Sequence, residues 1–147
     1  MNEPLGEASD WDGSKMASAR KEIVTKAAPD KVWSAVRDVG ALHTRLVPGF
    51  VTDTKLEGFV RIVTFGNGRV VREPIVTIDD QARRLVWTSE GGMAKHYNGA
   101  VQVTANVDGS STVVWIADFL PDDITPAIAG AIDAGMAVMK KTLDALA

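Results

Sequence analysis

The chain has 147 residues, 16 Lys+Arg against 19 Asp+Glu, a formal net charge of −3 and no cysteine. One domain is the expectation at this length, and an apolar fraction of 46% suits a packed core and excludes wholesale disorder. The lack of Cys excludes disulfides, thiolate chemistry and Cys-ligated metal, and two histidines, His43 and His96, leave little for a zinc site. Mild acidity argues against a nucleic-acid partner. No run of about 18 apolar residues is present to span a membrane.

Residues 1–18 read as a flexible N-terminal extension, rich in Glu, Asp, Ser and Gly, and residues 19–147 as one domain. Trp11 in the extension either docks on the domain or on a partner, or stands exposed. Met1 to Ser14 shows no signal-peptide apolar region, so a cytoplasmic protein is expected.

Ala19 to Ala27, with Ile23, Val24 and Thr25, reads as a strand. Ala28-Pro29-Asp30 opens a helix, since Pro in the first turn forfeits an N–H that would be unpaired anyway and Asp suits the positive helix end. Val32, Trp33 and Val36 recur at helical spacing, with Trp33 most simply a core anchor, and Gly40 stops the run. Ala41 to Val47 reads as a second short helix, ended by Pro48-Gly49.

From Phe50 the period changes to two. Strands are predicted over Phe50 to Glu57, Phe59 to Phe65, Arg69 to Ile78, Arg84 to Glu90, His96 to Val107 and Ser111 to Phe119, joined by short turns as in an antiparallel meander. Pro121-Asp122-Asp123 starts the longest helix, with Asp122 or Asp123 as candidate caps. Ile124, Ile128, Ile132, Met136, Met139, Leu143 and Leu146 form its apolar stripe.

The order is strand, two short helices, six strands, long helix. This is an α+β arrangement in which a curved seven-stranded antiparallel sheet has one large element, the last helix, to bury its inner face. A sheet wrapped round one helix can enclose a cavity, and cavities take small ligands.

The segments IVTKAAPDKVWSAVRDV (Ile23 to Val39), VRIVTFGNGRVVREPI, HYNGAVQVT and TVVWIADF together resemble the polyketide cyclase/dehydrase branch of the START and birch-pollen-allergen superfamily. The most diagnostic pieces are Ala28-Pro29-x-x-Val32-Trp33, the Arg61…Gly68…Glu73 hairpin, Tyr97-Asn98 and Trp115. The resemblance spans about residues 20–146. It implies a helix-grip fold around an apolar cavity, in a superfamily whose members bind lipids, polyketides or hormones and in part catalyse cyclisation or dehydration. Relatives often carry a Trp before the turn that follows the second helix. Here Leu46 stands in that place, which alters the cavity mouth.

The Gly66-Asn67-Gly68 turn sets the register. A three-residue loop with a glycine bulge makes Arg61 face Glu73 and Val63 face Val71, so that Arg61, Val63, Phe65, Val71 and Glu73 share the inner face. A two-residue loop would put Arg61 and Glu73 on opposite faces. On the first register the two charges explain each other in an apolar wall. They form either a satisfied cross-strand ion pair, a device that orients a polar ligand group, or an acid–base site with Glu73 tuned by Arg61.

Alternation puts Leu85 with Trp87 and Ser89, Tyr97 with Gly99, Val101 and Val103, and Val113 with Trp115, Ala117 and Phe119. Trp87, Tyr97, Trp115 and Phe119 are thus candidate ligand contacts, and Ile128, Ile132, Met136 and Met139 a candidate wall from the last helix. Gly99 leaves room for a ligand or for a close helix, and Gly130 and Gly135 for bending or closeness to the sheet. His43 sits near the expected mouth and joins Glu73, Arg61 and Tyr97 as a candidate proton-handling group. His96 and Asn98 alternate outward.

No phosphate-binding, dinucleotide, His-Glu-x-x-His or Gly-x-Ser-x-Gly motif occurs. The expected function is binding of a small hydrophobic or aromatic ligand without a cofactor or metal. A cofactor-independent cyclase or dehydratase is the alternative, and a partner-binding module with a vestigial cavity the third. Neither a nucleic-acid partner nor integral membrane association is expected. The extension and an exposed edge strand could support a homodimer.

Overall fold

A computed structural model describes residues 15–147. Trp11 and the first fourteen residues of the expected extension lie outside the described residues. Strand β1 (Ala17–Thr25) leads into helix α1 (Pro29–Arg37), a 3-10 turn at Val39–Ala41 and a π-helical turn at Leu42–Leu46. Six consecutive strands follow: β2 (Val51–Glu57), β3 (Val60–Phe65), β4 (Val70–Asp79), β5 (Arg84–Thr88), β6 (His96–Ala105) and β7 (Ser111–Leu120). A 3-10 turn at Asp122–Ile124 then opens the long helix α2 (Thr125–Asp144).

The strands form a curved antiparallel sheet in the order β1-β7-β6-β5-β4-β3-β2. The meander runs β2 to β7, and β1 returns to pair with β7 from Ala17↔Phe119 to Thr25↔Ser111. That pairing carries β1 two residues further toward the N-terminus than alternation suggests. The register slips between Val51 and Asp53 on β2 and between Ile75 and Thr77 on β4. Such irregularities bend a strand and increase its local twist. The α+β helix-grip architecture is the one expected.

The Gly66-Asn67-Gly68 loop is the three-residue form. Phe65 N–H donates to Arg69 C=O at 2.9 Å, Gly68 N–H donates to Phe65 C=O at 2.9 Å, and Arg61 pairs with Glu73 and Val63 with Val71. Gly68 sits at φ +89°, where a side chain would be strained.

Three local expectations are corrected. The second short helix is a π turn, in which Val47 N–H reaches back five residues to Leu42 C=O at 2.9 Å. Neither Asp122 nor Asp123 caps α2: the 3-10 turn occupies them, Ile124 holds the N-cap position, and Thr125 Oγ1 donates to Asp122 C=O at 2.6 Å. The sixth strand ends at Ala105, two residues before Val107, because Asn106 N–H donates to Ser110 C=O at 2.8 Å and Ser110 N–H to Asp108 Oδ1 at 3.0 Å, which closes the turn early.

Helix α2 seals the concave face. Ile128, Ile132, Met136, Met139 and Leu143 are all buried, and each such side chain contributes about 1.5–3 kcal/mol when fully removed from water. Helix α1 buries Val32, Trp33 and Val36, and the Trp33 indole Nε1 donates to Asp80 Oδ1 at 2.8 Å, tying α1 to the β4–β5 turn. Arg37 holds the same carboxylate at 2.8 Å.

Candidate functional site

Between the sheet, α2 and the π turn lies a cavity of about 410 Å³. Its wall is almost entirely apolar, with one polar cluster. Arg61 on β3 donates from Nε to Glu73 Oε1 at 2.9 Å, and its Nη2 lies 2.7 Å from the same oxygen. Both residues are buried and both border the cavity. The cross-strand pairing holds them opposite each other, and the Arg61 guanidinium also rests 5.5 Å from the centre of the Trp87 ring, within cation–π range.

Trp87 and Trp115 stand beside this pair, their rings 6.0 Å apart and inclined at 57°. They come from β5 and β7, with β6 between them. The β6 residue paired with Trp87 is Gly99. A Cβ there would lie 2.4 Å from Trp87 Cζ2, so the missing side chain is what lets the indole lie across β6. The room at Gly99 thus belongs to Trp87, neither to a ligand nor to a helix. Gly135 on α2 plays a comparable part: a Cβ would come within 3.0 Å of the Trp115 ring and 3.1 Å of Phe50. Gly130 faces open space.

Burial pushes the Glu73 carboxyl above its ordinary pKa, against the opposing pull of the Arg61 charge and its hydrogen bond. Burial also pushes the Tyr97 phenol up, aided by the nearby Glu73 charge, so Tyr97 keeps its proton at any physiological pH. The Trp115 indole draws the phenol the other way, yet it meets no partner in hydrogen-bond geometry. The Nε1 atoms of both Trp87 and Trp115 are buried without a partner. An unpaired buried donor costs about 1–3 kcal/mol.

Of the expected contacts, Arg61, Phe65, Val71, Glu73, Trp87, Tyr97 and Trp115 border the cavity from the sheet, and Ile128, Ile132 and Met139 from α2. Val63, Phe119 and Met136 do not. They share the inward faces but are buried in the core, where sheet and helix close on each other and leave no space. His43 does not border it either. The π turn brings Leu42 and Leu46 inward, four residues apart, and leaves His43 off that side with Nδ1 buried and unpartnered. His96 is exposed, and Asn98 is half-buried with Oδ1 unpartnered.

Sequence reasoning passed over Val36, Leu42, Phe50, Leu85, Val101 and Ala131, all of which line the cavity, as does Leu46, which it had placed at the mouth. Leu85 and Val101 carried the signal, since each shares an alternation face with a chosen aromatic. Phe50, packed edge-on against Phe65 at 5.6 Å, had none. The mouth is marked by exposed lining residues from three loops: Gly49, the turn residues Gly66, Asn67 and Arg69, and Gly92 with Met93. A Cβ on Gly66 would lie 2.6 Å from Gly49 C=O, so this glycine lets two of the loops meet.

A family model described as "Polyketide cyclase / dehydrase and lipid transport" matches residues 16–147. The chain belongs to this family. Solved structures of the same fold include an uncharacterised Bacillus thuringiensis protein, with 18% identity, TM-score 0.79, and 86% of this chain and 98% of that one covered. Another is norcoclaurine synthase from Thalictrum flavum in complex with dopamine and hydroxybenzaldehyde, with 18% identity, TM-score 0.71, and 90% and 87% covered. A Thermobifida fusca protein solved by NMR has 27% identity and TM-score 0.73, with 86% and 90% covered. No curated protein sequence matches the chain. Family membership brings ligand binding as its general theme and leaves the ligand open. No helix among the described residues is long and apolar enough to cross a membrane.

Proposed function

We propose that this family member binds a small hydrophobic or aromatic molecule in its internal cavity, with a polar group of the ligand set against the Arg61–Glu73 corner. The observation that carries this reading is a cavity of about 410 Å³ whose apolar wall holds one buried ion pair. That volume lies within the range of about 300–1,000 Å³ used for small-molecule sites, and such sites combine apolar walls with few polar groups. A filled interior, as a module with a vestigial cavity would need, does not fit this space.

The cyclase or dehydratase alternative is favoured by one specific feature. Glu73, raised by burial and close to Tyr97 and Arg61, is a carboxyl that could give or take a proton beside a bound ligand without a cofactor. Both readings are tested by native mass spectrometry of the protein purified from its own host. A retained small molecule of one mass, displaced by a fluorescent hydrophobic probe, is the expected result. Return of the ligand unchanged after incubation supports binding alone, and conversion supports the enzyme. Recovery of bare protein that also fails to take up hydrophobic probes would overturn the cavity reading.

A further inference from the structure

The mouth of the cavity and the start of β1 lie at the same end of the sheet. β1 and β6 both pair antiparallel with β7, so they run parallel to each other, two strand spacings or about 10 Å apart. Ala17 and Tyr97 both pair with Phe119, so the residues before each leave the sheet in one direction. The segment before Tyr97 carries Met93, which lines the mouth. The segment before Ala17 leads to Trp11, six residues back, against four from Tyr97 to Met93. Six residues reach up to about 20 Å, enough to cross the gap and lay an indole beside Met93.

The rim matches that segment in both apolar surface and charge. Met93 is 45% exposed at the edge of an apolar cavity, and a Cβ on Gly49 or Gly92 would meet only open space. Apolar surface left in water at an opening is a seat for another apolar group. Arg69 lines the rim, exposed, and its guanidinium meets no acceptor among the described residues. Lys95 is exposed two residues after Met93. Residues 1–14 hold Glu3, Glu7, Asp10 and Asp12 and no Lys or Arg, and the last two flank Trp11 directly. Of the acids at this end of the sheet, Glu90 shares the outer face with Arg72. Asp122 and Asp123, exposed at the approach to α2, repel an acidic segment and steer it toward Arg69 and Lys95.

We propose that the segment Glu7–Asp12 straps the cavity mouth, with the Trp11 indole on Met93 and with Asp10 and Asp12 toward Lys95 and Arg69, so that a ligand must displace it to enter. This rests on the proposed reading of the cavity as an internal ligand site and adds to it a competitor carried by the same chain. A site closed about nine-tenths of the time by its own segment binds about tenfold more weakly than the open site.

The test uses full-length protein with methyl-labelled methionine and nitrogen-15 indoles, assigned through Met93→Leu and Trp11→Phe. N-phenyl-1-naphthylamine serves as a neutral fluorescent probe of the cavity. Without probe, a nuclear Overhauser contact is expected between the Met93 methyl and the Trp11 indole N–H, and saturating probe should abolish it. Trp11→Ala should raise probe affinity about three- to tenfold. Asp10→Asn with Asp12→Asn should raise it by a smaller factor that vanishes in about 1 M salt, where exposed charges are screened. Absence of the contact, with equal probe affinity in wild type and Trp11→Ala, overturns the strap and leaves the cavity reading standing. A contact without any gain in affinity on Trp11→Ala overturns the competition with ligand. A contact found only between differently labelled molecules in a mixture assigns the segment to a second copy and also overturns the proposal. Probe bound by neither protein removes the ligand site and the competition with it, while the Met93–Trp11 contact, read without probe, still upholds or refutes the placement of the strap.

Discussion

Removing one half of the Arg61–Glu73 pair should damage the protein far more than replacing both halves. Glu73→Gln leaves a guanidinium side chain that is 3% exposed, lacks an anion and cannot lose its proton. Breaking a buried pair from one side costs about 3–5 kcal/mol. At roughly 2–4 °C per kcal/mol for a chain of this size, Tm should fall by about 6–20 °C. Arg61→Met is the gentler half, because the remaining carboxyl, already raised by burial, can take up a proton. Its folded pKa then stands above its unfolded value, so the native state keeps a proton that the unfolded chain has released. The stability of Arg61→Met is accordingly greatest below the ordinary glutamate value of about 4.3 and falls as pH rises toward the folded value, by at most about 1.4 kcal/mol per pH unit. The double variant Arg61→Met with Glu73→Leu should match the wild type or exceed it by up to about 4 kcal/mol, since neither desolvated charge remains. Urea unfolding of the wild type, Arg61→Met, Glu73→Leu and the double variant across acid and neutral pH gives the coupling energy directly. A double variant whose loss equals the sum of the single losses would refute the reasoning, as the two charges would then be independent.

Gly99→Ala places a methyl group 2.4 Å from the Trp87 ring, and the crowding should cost about 1–3 kcal/mol while shifting tryptophan emission. Unchanged stability and emission would show that Trp87 is not held against β6. Asp80 is held below the usual carboxylate range by its bonds from Arg37 and from the Trp33 indole. A depressed carboxylate stabilises above its unfolded pKa and loses that contribution as pH falls. Asp80→Asn should therefore lower Tm at neutral pH, with the gap to wild type closing below the ordinary aspartate value of about 3.9. A gap that stays constant with pH would contradict this.

The candidate site was partly legible. The Arg61–Glu73 pairing was one of the two registers the glycine-rich turn allowed, because loop length sets register and register sets which side chains meet across a hairpin, and the structure has the three-residue form. Trp87, Tyr97 and Trp115 followed from alternation along three strands. Periodicity tells which face a residue occupies but not how far the opposite layer stands from it. Val63, Phe119 and Met136 therefore looked equivalent to their neighbours, although they lie where sheet and helix touch. His43 was misplaced for a related reason. A π turn carries one more residue in its hydrogen-bonded loop than an α turn, and that rotates the side chains that follow.

The sequence by itself determined the order of elements, the apolar faces and the family resemblance, and narrowed the hairpin register to two choices, because each depends on neighbours a few residues apart. Only the tertiary structure decided where the cavity opens, which inward residues border it, and that Gly99 makes room for Trp87 and not for a ligand. It alone showed that the two indole N–H groups lack partners. Those properties depend on distances between strands and helices far apart in the chain, which no local pattern of residues encodes.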